Sequence, residues 1–509
     1  MNPLAALLAS AVCLIARALS APESSSASGT RQDAPTVHIA HPAATIIGIA
    51  DTSNIESFNG IPYAEPPTGP LRLKPPHPLR SHLGTIHATA VSPSCPQFAI
   101  PSEAASLIAT IPAAAATQLA SSGTMPGPAS PPDPSMSEDC LTLDIRRPGG
   151  ITAGDDLLPV LVWSTAAVVF VAMNYRVGGF GFLPGREILE DGAANLGVTI
   201  WGQSSGGMLV FDQMVLFDGD NMYKGRPLFQ GAIMSSGGVL AADPVDGEKG
   251  QAIYNAVVAA GGCSTSQSNH NTDTLACLRS LPYETFHRAV SSVPGPISYQ
   301  SSALSYIPRP DGRVLTASPD VLAQTGRYAR VPFIAGSQED EGTIFALFQG
   351  NITSTDEIVL YLSTYYFHNA TREQLAALVL TYTDISTDGS PFRTGPSENW
   401  YPQFKRLAAV LGDVTFTLSR RALLQTVDIA QVFYGIPDNY AADAMRRYLL
   451  SFVYDLDPNS RRGGLVPWPA WGAEREMMWV FADRGEVTVD GFREEAFAVL
   501  ESGWEAFRM

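Results

Sequence analysis

The sequence predicts an α/β fold, with a mostly parallel central β-sheet flanked by helices. Short, continuous apolar runs are typical of strands buried on both faces of a parallel sheet. Five such runs occur: Leu158–Trp163, Val168–Met173, Val198–Trp201, Gly231–Met234 and Val331–Ala335. Helical patterns follow several of them, notably residues 208–217 and Ala441–Tyr454. Strands that alternate with helices indicate a layered α/β architecture.

The first part of the chain is predicted to lie outside this fold. Leu4–Ile15 is an apolar run too short to span a bilayer, and the small residues Ala18 and Ser20 follow it. Residues 1–20 are therefore predicted to be a signal peptide. Residues 21–36, rich in Ser, Ala and Pro, are predicted to be a disordered lead-in. No later linker or repeat divides the chain, so residues 37–509 are predicted to form one domain.

Secretion has consequences for the cysteines and for two asparagines. Removal of the signal peptide leaves four cysteines, which are Cys95, Cys140, Cys263 and Cys277. An even number in an oxidising compartment suggests two disulfides, and the residues alone leave three pairings open. Asn351 and Asn369 each begin an Asn-x-Thr glycosylation acceptor. We expect a secreted, extracellular glycoprotein.

Charge and motifs argue against several classes of partner. The formal net charge is −17 and no Lys/Arg run occurs, whereas a phosphate-binding face needs clustered cations. We therefore expect no nucleic-acid partner. The Asp218-Gly219-Asp220 run is too short for a calcium loop, and the chain shows no zinc cluster, phosphate-cradling loop or dinucleotide motif. No metal or cofactor is expected, and the oligomeric state stays open.

The strongest chemical signal is Gly202-Gln203-Ser204-Ser205-Gly206, which lies between a predicted strand and a predicted helix. In this context G-x-S-x-G is a tight turn that exposes a nucleophilic serine hydroxyl. Ser204 is the candidate nucleophile, and the Ser205 N–H is a candidate oxyanion donor. A serine-rich turn without chemistry is the alternative. Ser235 and Ser236 lack the motif and are interpreted as a turn at the end of a strand.

Further motifs surround this turn in a fixed order: Phe58–Pro67 (FNGIPYAEPP), Ser137–Leu143 (SEDCLTL), Asn174–Arg176 (NYR) and the turn itself. Together they resemble the type-B carboxylesterase/lipase family, and residues 219–312 are similar to fungal secreted lipases in particular. The resemblance extends from about Val37 to Phe507. It implies an α/β-hydrolase fold and a carboxylic ester hydrolase that forms an acyl-serine intermediate. Small-molecule or lipid esters would be its substrates.

The resemblance also implies residue roles. Glu341, in a Glu-Asp-Glu-Gly-Thr turn after the last predicted strand, matches the family's acid, which orients a histidine. Glu339 and Asp340 are the alternatives, as a solvated acidic turn. The implied disulfides are Cys95–Cys140 and Cys263–Cys277. Residues 95–140 would then form a lid loop.

The lid loop carries apolar residues without Lys or Arg: Ile100, Leu107, Ile108, Ile111 and Leu119. Such a surface suits a lipid interface. The alternative is that these side chains simply pack on the body of the domain.

A catalytic histidine is missing from the expected place. His368 is the only histidine after Glu341, and it lies at a helix start beside a glycosylation acceptor. The family carries its histidine shortly before the position of Asp428. Here the residues before Asp428 continue the helical pattern of Leu418–Leu424.

At two further places the chain is predicted to lack a segment that the family has. Only residues 164–167 separate two strands, whereas a parallel crossover needs about a dozen residues. Four residues predict a hairpin and leave no room for the family's Gly-rich oxyanion loop, which Gly178–Gly181 does not replace. At the second break, Gly197 joins Val198 without the expected helix.

Two functional hypotheses follow. The first is a carboxylic ester hydrolase that is incompetent as written because its histidine and oxyanion loop are missing. The second is a non-catalytic binding module with a hydrolase fold, or the product of a defective gene model.

Overall fold

The computed structural model describes residues 34–97, 111, 136–149, 160–161, 169–173, 201–223, 226–264, 273–425 and 440–509, except positions 41, 53, 80, 297, 461 and 482. The predicted signal peptide, most of the lead-in and lid loop, and the three predicted breaks lie outside these residues. The last lead-in residue, Thr36, was assigned wrongly, because it pairs with Ile47 and starts the first strand.

The described strands are β1 Thr36–Ala40, β2 Ala43–Ile47, β3 Ile49–Ala50, β4 Ile55–Pro62, β5 Gly84–His87, β6 Thr142–Pro148, β7 Val160–Leu161, β8 Val169–Met173, β9 Trp201–Gln203, β10 Met222–Tyr223, β11 Arg226–Pro227, β12 Ala232–Ser235, β13 Phe333–Gly336, β14 Glu476–Val480 and β15 Gly485–Val489.

The described α-helices are α1 Ser205–Val215, α2 Glu248–Ala260, α3 Thr274–Ser280, α4 Tyr283–Val290, α5 Pro319–Gln324, α6 Thr355–Tyr365, α7 Arg372–Leu380, α8 Phe404–Gly412, α9 Leu418–Gln425, α10 Tyr440–Asp455 and α11 Glu494–Glu501. A π-helical segment, Asp413–Thr417, joins α8 to α9. The predicted helices at residues 208–217, 418–424 and 441–454 are thus confirmed to within a few residues.

Two groups of strands form the main sheets. The order β3-β4-β6-β8-β7 is antiparallel up to β8, and β7 then pairs parallel to β8. The order β13-β12-β9 is parallel throughout. The parallel arrangement predicted from the apolar runs is confirmed here, and β12 and β13 are buried over their whole length.

The hairpin predicted between the first two apolar runs, Leu158–Trp163 and Val168–Met173, was wrong. Val160 lies opposite Val169 in a parallel pair, with residues 162–168 between the two strands. The described pairing covers only two residues of each strand. Leu161 and Val169 are eight residues apart, and eight extended residues span up to about 26 Å. This length is enough for the chain to return from the end of β7 to the start of a parallel β8 when the pairing is so short.

Both predicted disulfides are confirmed. Cys95 is bonded to Cys140, with Cα atoms 5.0 Å apart, and Cys263 to Cys277, with Cα atoms 5.8 Å apart. At the base of the loop closed by the first bond, Ser137 N–H donates to the Ser94 carbonyl. The neighbouring Glu138 accepts two hydrogen bonds from buried Arg72, at 2.6 and 2.7 Å. The Ser-Glu-Asp-Cys motif therefore fixes the stem of the loop.

Helix α1 packs its apolar residues against β9 and β12, and it also buries a carboxyl group. Asp212 is 2% exposed, and its Oδ2 has no hydrogen-bond partner among the described residues. Loss of solvation raises the pKa of Asp212 to about 8. Because the folded state holds this proton more tightly than the unfolded state, where the pKa is about 3.9, Asp212 destabilises the fold increasingly as pH rises from about 4 to about 8.

We predict that Asp212→Asn removes this dependence. Relative to the parent, the variant should gain about 1.4 kcal/mol of unfolding free energy for each pH unit between 5 and 7.5. Urea unfolding at both pH values measures the gain. Asp246→Asn, at an exposed aspartate, is the matched control and should show no such trend. An equal effect of Asp212→Asn at both pH values would contradict the assignment.

Candidate active site

Three chain segments meet at the turn that holds Ser204: the end of β9, the start of α1 and the residues that follow β12. Glycines allow their backbones to come into contact. A Cβ on Gly202 would lie 2.0 Å from the Gly206 carbonyl oxygen. A Cβ on Gly237 would lie 2.4 Å from the Ser204 carbonyl oxygen. Real Cβ atoms do not come this close to backbone, so both positions require glycine. Gly206 is different, because the space around its missing Cβ is open.

Ser204 has the backbone conformation that the motif predicts. Its φ and ψ are 57° and −124°, a strained combination for a residue with a side chain. Its N–H donates to the Ser235 carbonyl at 2.8 Å, and its own carbonyl accepts from Gly207 N–H at 2.9 Å. These bonds hold the turn against the end of β12. The Ser204 side chain is exposed.

Ser205 is the first residue of α1 and is also exposed. The N–H groups of a helix's first turn have no acceptor within the helix. The positive end of the helix dipole adds to the attraction for an anion at this point. The Ser205 N–H is thus available to an oxyanion formed next to Ser204.

The acid turn follows β13, the neighbour of β12. Glu341 is half-buried; its carboxylate accepts the Gln338 N–H at 2.6 Å and a hydrogen bond from the Ser236 hydroxyl. Burial raises the pKa of Glu341 to about 7, although these two hydrogen bonds and the charge of Arg420 act in the opposite direction. Glu341 is thus a partly desolvated carboxyl group fixed by two hydrogen bonds, and such a group can orient a neighbouring base.

The two alternative acids of this turn have structural partners. Asp340 is buried and accepts the Ser390 hydroxyl at 2.9 Å and the Phe392 N–H at 2.8 Å. Glu339 forms an ion pair with Arg393 at the surface. Both contacts hold the turn to residues 390–393, so Glu341 is the member of the three that faces the β12 side of the site.

Ser236 is a site residue that sequence analysis missed. It follows β12 with a φ of 51°, its N–H donates to the Gly336 carbonyl at 2.7 Å, and its hydroxyl reaches Glu341. Ser236 therefore lies between the Ser204 turn and the acid turn. The one available signal was its position at the end of an apolar strand, before two glycines.

None of the described histidines forms a hydrogen bond or ion pair with Ser204 or Glu341 in this structure. His287 is buried, and its Nε2 contacts the Gln97 carbonyl at 2.8 Å. His368 is exposed. Partial loss of solvation and the charge of nearby Lys249 lower the pKa of its ring, while the charge of Asp243 acts in the opposite direction. The charged groups around His368 differ from those around Glu341, which are Arg420 and Asp340. His41 and His270 lie outside the described residues.

The described residues offer no metal site and no membrane-spanning helix. They contain no group of three or more His, Cys, Asp or Glu side chains that could hold a metal ion. Nor does any of their helices combine the length and apolar character needed to cross a bilayer.

The fold is similar to that of a solved structure. The crystal structure of Aspergillus niger EstA superposes with a TM-score of 0.70 at 20% sequence identity, over 92% of this chain and 98% of that chain. At this identity the likeness establishes the α/β-hydrolase fold and not a shared activity.

Sequence comparisons are more specific. The sequence model of the carboxylesterase family matches residues 34–167 and 186–436. Secreted lipase 1 of Botryotinia fuckeliana is 44% identical, over 94% of each chain. Secreted triacylglycerol lipase LIP1 of Gibberella zeae is 41% identical, over 91% of this chain and 90% of the relative.

The lengths of these alignments show that the relatives carry residues that have no counterpart in this chain. The Botryotinia alignment runs over 564 positions, but 94% of a 509-residue chain is about 478 residues. About 86 aligned positions therefore fall opposite gaps in this chain. The Gibberella alignment, with 544 positions and 91% of the chain, leads to about 81 in the same way.

We predict opposite effects of alanine at two neighbouring glycines. Gly202→Ala should lower the free energy of unfolding by about 1–3 kcal/mol or more, because the new methyl overlaps the Gly206 backbone. Gly206→Ala, the matched control, should leave stability unchanged or raise it by up to about 1 kcal/mol, because its site is open and helical. Chemical unfolding followed by circular dichroism measures both. Equal effects of the two substitutions would contradict the described packing.

Proposed function

The chain belongs to the carboxylesterase family, a family of carboxylic ester hydrolases, and we propose that Ser204 is its nucleophile and Glu341 its acid. The single observation that carries the proposal is a series of hydrogen bonds that connects the Ser204 turn to Glu341 through the end of β12. Ser204 N–H is bonded to Ser235, and the next residue, Ser236, is bonded to the Glu341 carboxyl. The two residues come from segments 137 positions apart, yet only β12 separates them.

In the proposed reaction the Ser204 oxygen attacks the ester carbonyl carbon, and the alcohol leaves from the resulting tetrahedral intermediate. The Ser205 N–H stabilises the negative oxygen of that intermediate. Water then attacks the acyl-serine and releases the carboxylic acid. Both steps need a base that takes a proton from the attacking oxygen, and Glu341 would orient that base.

We propose that this exact polypeptide lacks the base. The histidine expected before Asp428 is absent from the sequence, and the roughly 80 gap positions in the relatives' alignments leave room for such a loss. His368 is a poor substitute, because its charged neighbours are Lys249 and Asp243 and not the residues of the acid turn. The Gly-rich oxyanion loop is proposed to be missing as well.

Ester substrates with an apolar acyl chain fit the surroundings of the site. Met208 on α1, Leu240 after β12, Phe345 after the acid turn and Phe416 belong to one buried apolar cluster, and the last two rings stack 5.7 Å apart. We propose lipid esters as the substrate class. Ile111 of the lid loop is buried in the same cluster, which also fits the alternative in which lid side chains pack on the body.

Secretion belongs to the proposal too, since two similar proteins are named secreted lipases. Asn351 and Asn369 are exposed and lie just before the starts of α6 and α7. Their accessibility supports both as glycosylation sites. A non-catalytic binding module stays the second candidate, and the missing base is the observation that favours it.

We predict that the chain as written hydrolyses p-nitrophenyl esters at least about 10⁴-fold more slowly than a restored chain. Loss of one triad member typically costs on the order of 10⁴ to 10⁶ in kcat, because the unassisted Ser204 hydroxyl keeps its proton. The restored chain carries the genomic segments at the junctions 163–168, 197–198 and 425–428. Steady-state rates of both proteins with acetyl and palmitoyl esters give the ratio.

Ser204→Ala in the restored chain is the control, and it should abolish activity. A comparable rate in the unrestored chain that His368→Ala abolished would overturn the missing-base argument. A restored enzyme that used acetyl esters well and palmitoyl esters not at all would overturn the lipid preference alone.

A further inference from the structure

Lys249 is one of four lysines in the chain, the others being Lys74, Lys224 and Lys405. It lies in the first turn of α2 and is half-buried. Its Nζ donates to the Tyr365 carbonyl at 3.1 Å, at the end of α6. This bond uses one of the three donors of the ammonium group, so the amine is held in one place between two helices.

A carboxylate and an imidazole lie beside this amine. The charge of Asp243 acts on Lys249, and the charges of both act on His368. Asn369 Nδ2 donates to Asp243 Oδ1 at 3.5 Å, which holds the segment of His368 against that of Asp243. We call Lys249, Asp243 and His368 the amine cluster. Because His368 is exposed and Asp243 is half-buried, the amine cluster is reached from solvent.

The surroundings keep part of the amine unprotonated. Loss of solvation and the charge of Arg309 lower the pKa of Lys249 to about 8, although Asp243 acts in the opposite direction. At pH 7 about one amine in ten is then neutral, against about one in 2,500 for an ordinary lysine with a pKa of about 10.4. Partial loss of solvation also lowers the pKa of His368 from 6.5, so its ring is mainly a neutral base at pH 7. The exposed Glu248 adds a second carboxylate near His368, and anionic reagents are therefore disfavoured.

We propose that Lys249 forms Schiff bases with small, neutral aldehydes. Its neutral amine attacks the carbonyl carbon and gives a carbinolamine, which loses one water molecule to form the C=N bond. His368 accepts the proton that the attacking amine releases and returns it to the departing hydroxyl. The nitrogen of the product takes up a proton from solvent, and Asp243 stabilises the resulting iminium cation. The reaction uses neither Ser204 nor Glu341, so it goes beyond the proposed ester hydrolysis.

The test is reductive trapping with butanal on the full chain, produced without glycans so that no sugar on Asn369 covers the amine. Sodium cyanoborohydride is in large excess, so that Schiff-base formation limits the rate, and peptide mass spectrometry follows each lysine. At pH 7 Lys249 should be alkylated at least about tenfold faster than Lys74, a half-buried lysine outside the amine cluster. The roughly 200-fold larger neutral fraction is partly offset by the weaker nucleophilicity of a less basic amine. Equal rates at the two lysines would overturn the proposal.

Variants of the two neighbours separate their roles. Asp243→Asn should lower the amount of Schiff base at Lys249, trapped with borohydride after equilibration, by about two- to fivefold, because the iminium loses its counter-ion. Acetylation of Lys249 by acetic anhydride should not fall in this variant, since Asp243 raises the pKa of Lys249; this shows that the amine is still in place.

His368→Gln should slow Schiff-base formation and leave the amount at equilibrium unchanged. Asp246→Asn, at an exposed aspartate outside the amine cluster, is the matched control and should change neither quantity. An unchanged amount of Schiff base in Asp243→Asn, or an unchanged rate in His368→Gln, would contradict the proposal.

Discussion

The close approach of three backbone segments around Ser204 is the constraint on which the rest of the site depends. Gly202 lets the end of β9 touch the start of α1, and Gly237 lets the segment after β12 touch the Ser204 carbonyl. Ser204 can hold its strained backbone only because the Ser235 carbonyl and the first turn of α1 fix both sides of it. The same contact brings Ser236 next to the turn, and Ser236 in turn meets Glu341. Gly202 and Gly237 thus allow the contacts that place Ser204, the proposed nucleophile, near Glu341, the proposed acid.

The chemistry of the acid turn follows from burial. Glu341 is half-buried, and loss of solvation raises the pKa of its carboxyl group to about 7. An imidazolium beside it would favour the ionised carboxylate, as in other serine hydrolases. Instead, the nearest compensating charge is Arg420, which is itself buried and bonded to Asp490 at 3.0 Å. The turn is rigid, because Asp340 and Glu339 bind residues 390–393. Glu341, the proposed acid, is therefore held in place without help from any of the described histidines.

Local patterns predicted a large part of this arrangement. The Ser204 turn depends on five consecutive residues, so its glycines and its following helix could be read directly from the sequence. The strands β12 and β13 were predicted because burial on both faces produces continuous apolar runs. The family resemblance supplied Glu341 and the pairing Cys95–Cys140 and Cys263–Cys277, which spacing alone left open.

Tertiary contacts account for what could not be predicted. The role of Ser236 depends on the meeting of β12 with a turn about a hundred residues later, and no local pattern encodes that distance. The hairpin prediction failed because the apolar runs suggested long strands, whereas the described parallel pairing of β7 and β8 covers two residues each.

The central claim is that the Ser204 turn is fully formed yet has no base, so its hydroxyl is not activated. Reaction with a fluorophosphonate reports this directly, because only an activated serine is phosphonylated quickly. Intact-protein mass spectrometry of the unrestored, folded chain should show less than about one tenth of the molecules labelled after an hour, when the restored chain is labelled stoichiometrically at Ser204; the margin follows from the large rate loss expected without a base. Stoichiometric labelling of Ser204 in the unrestored chain on the same timescale would contradict the account.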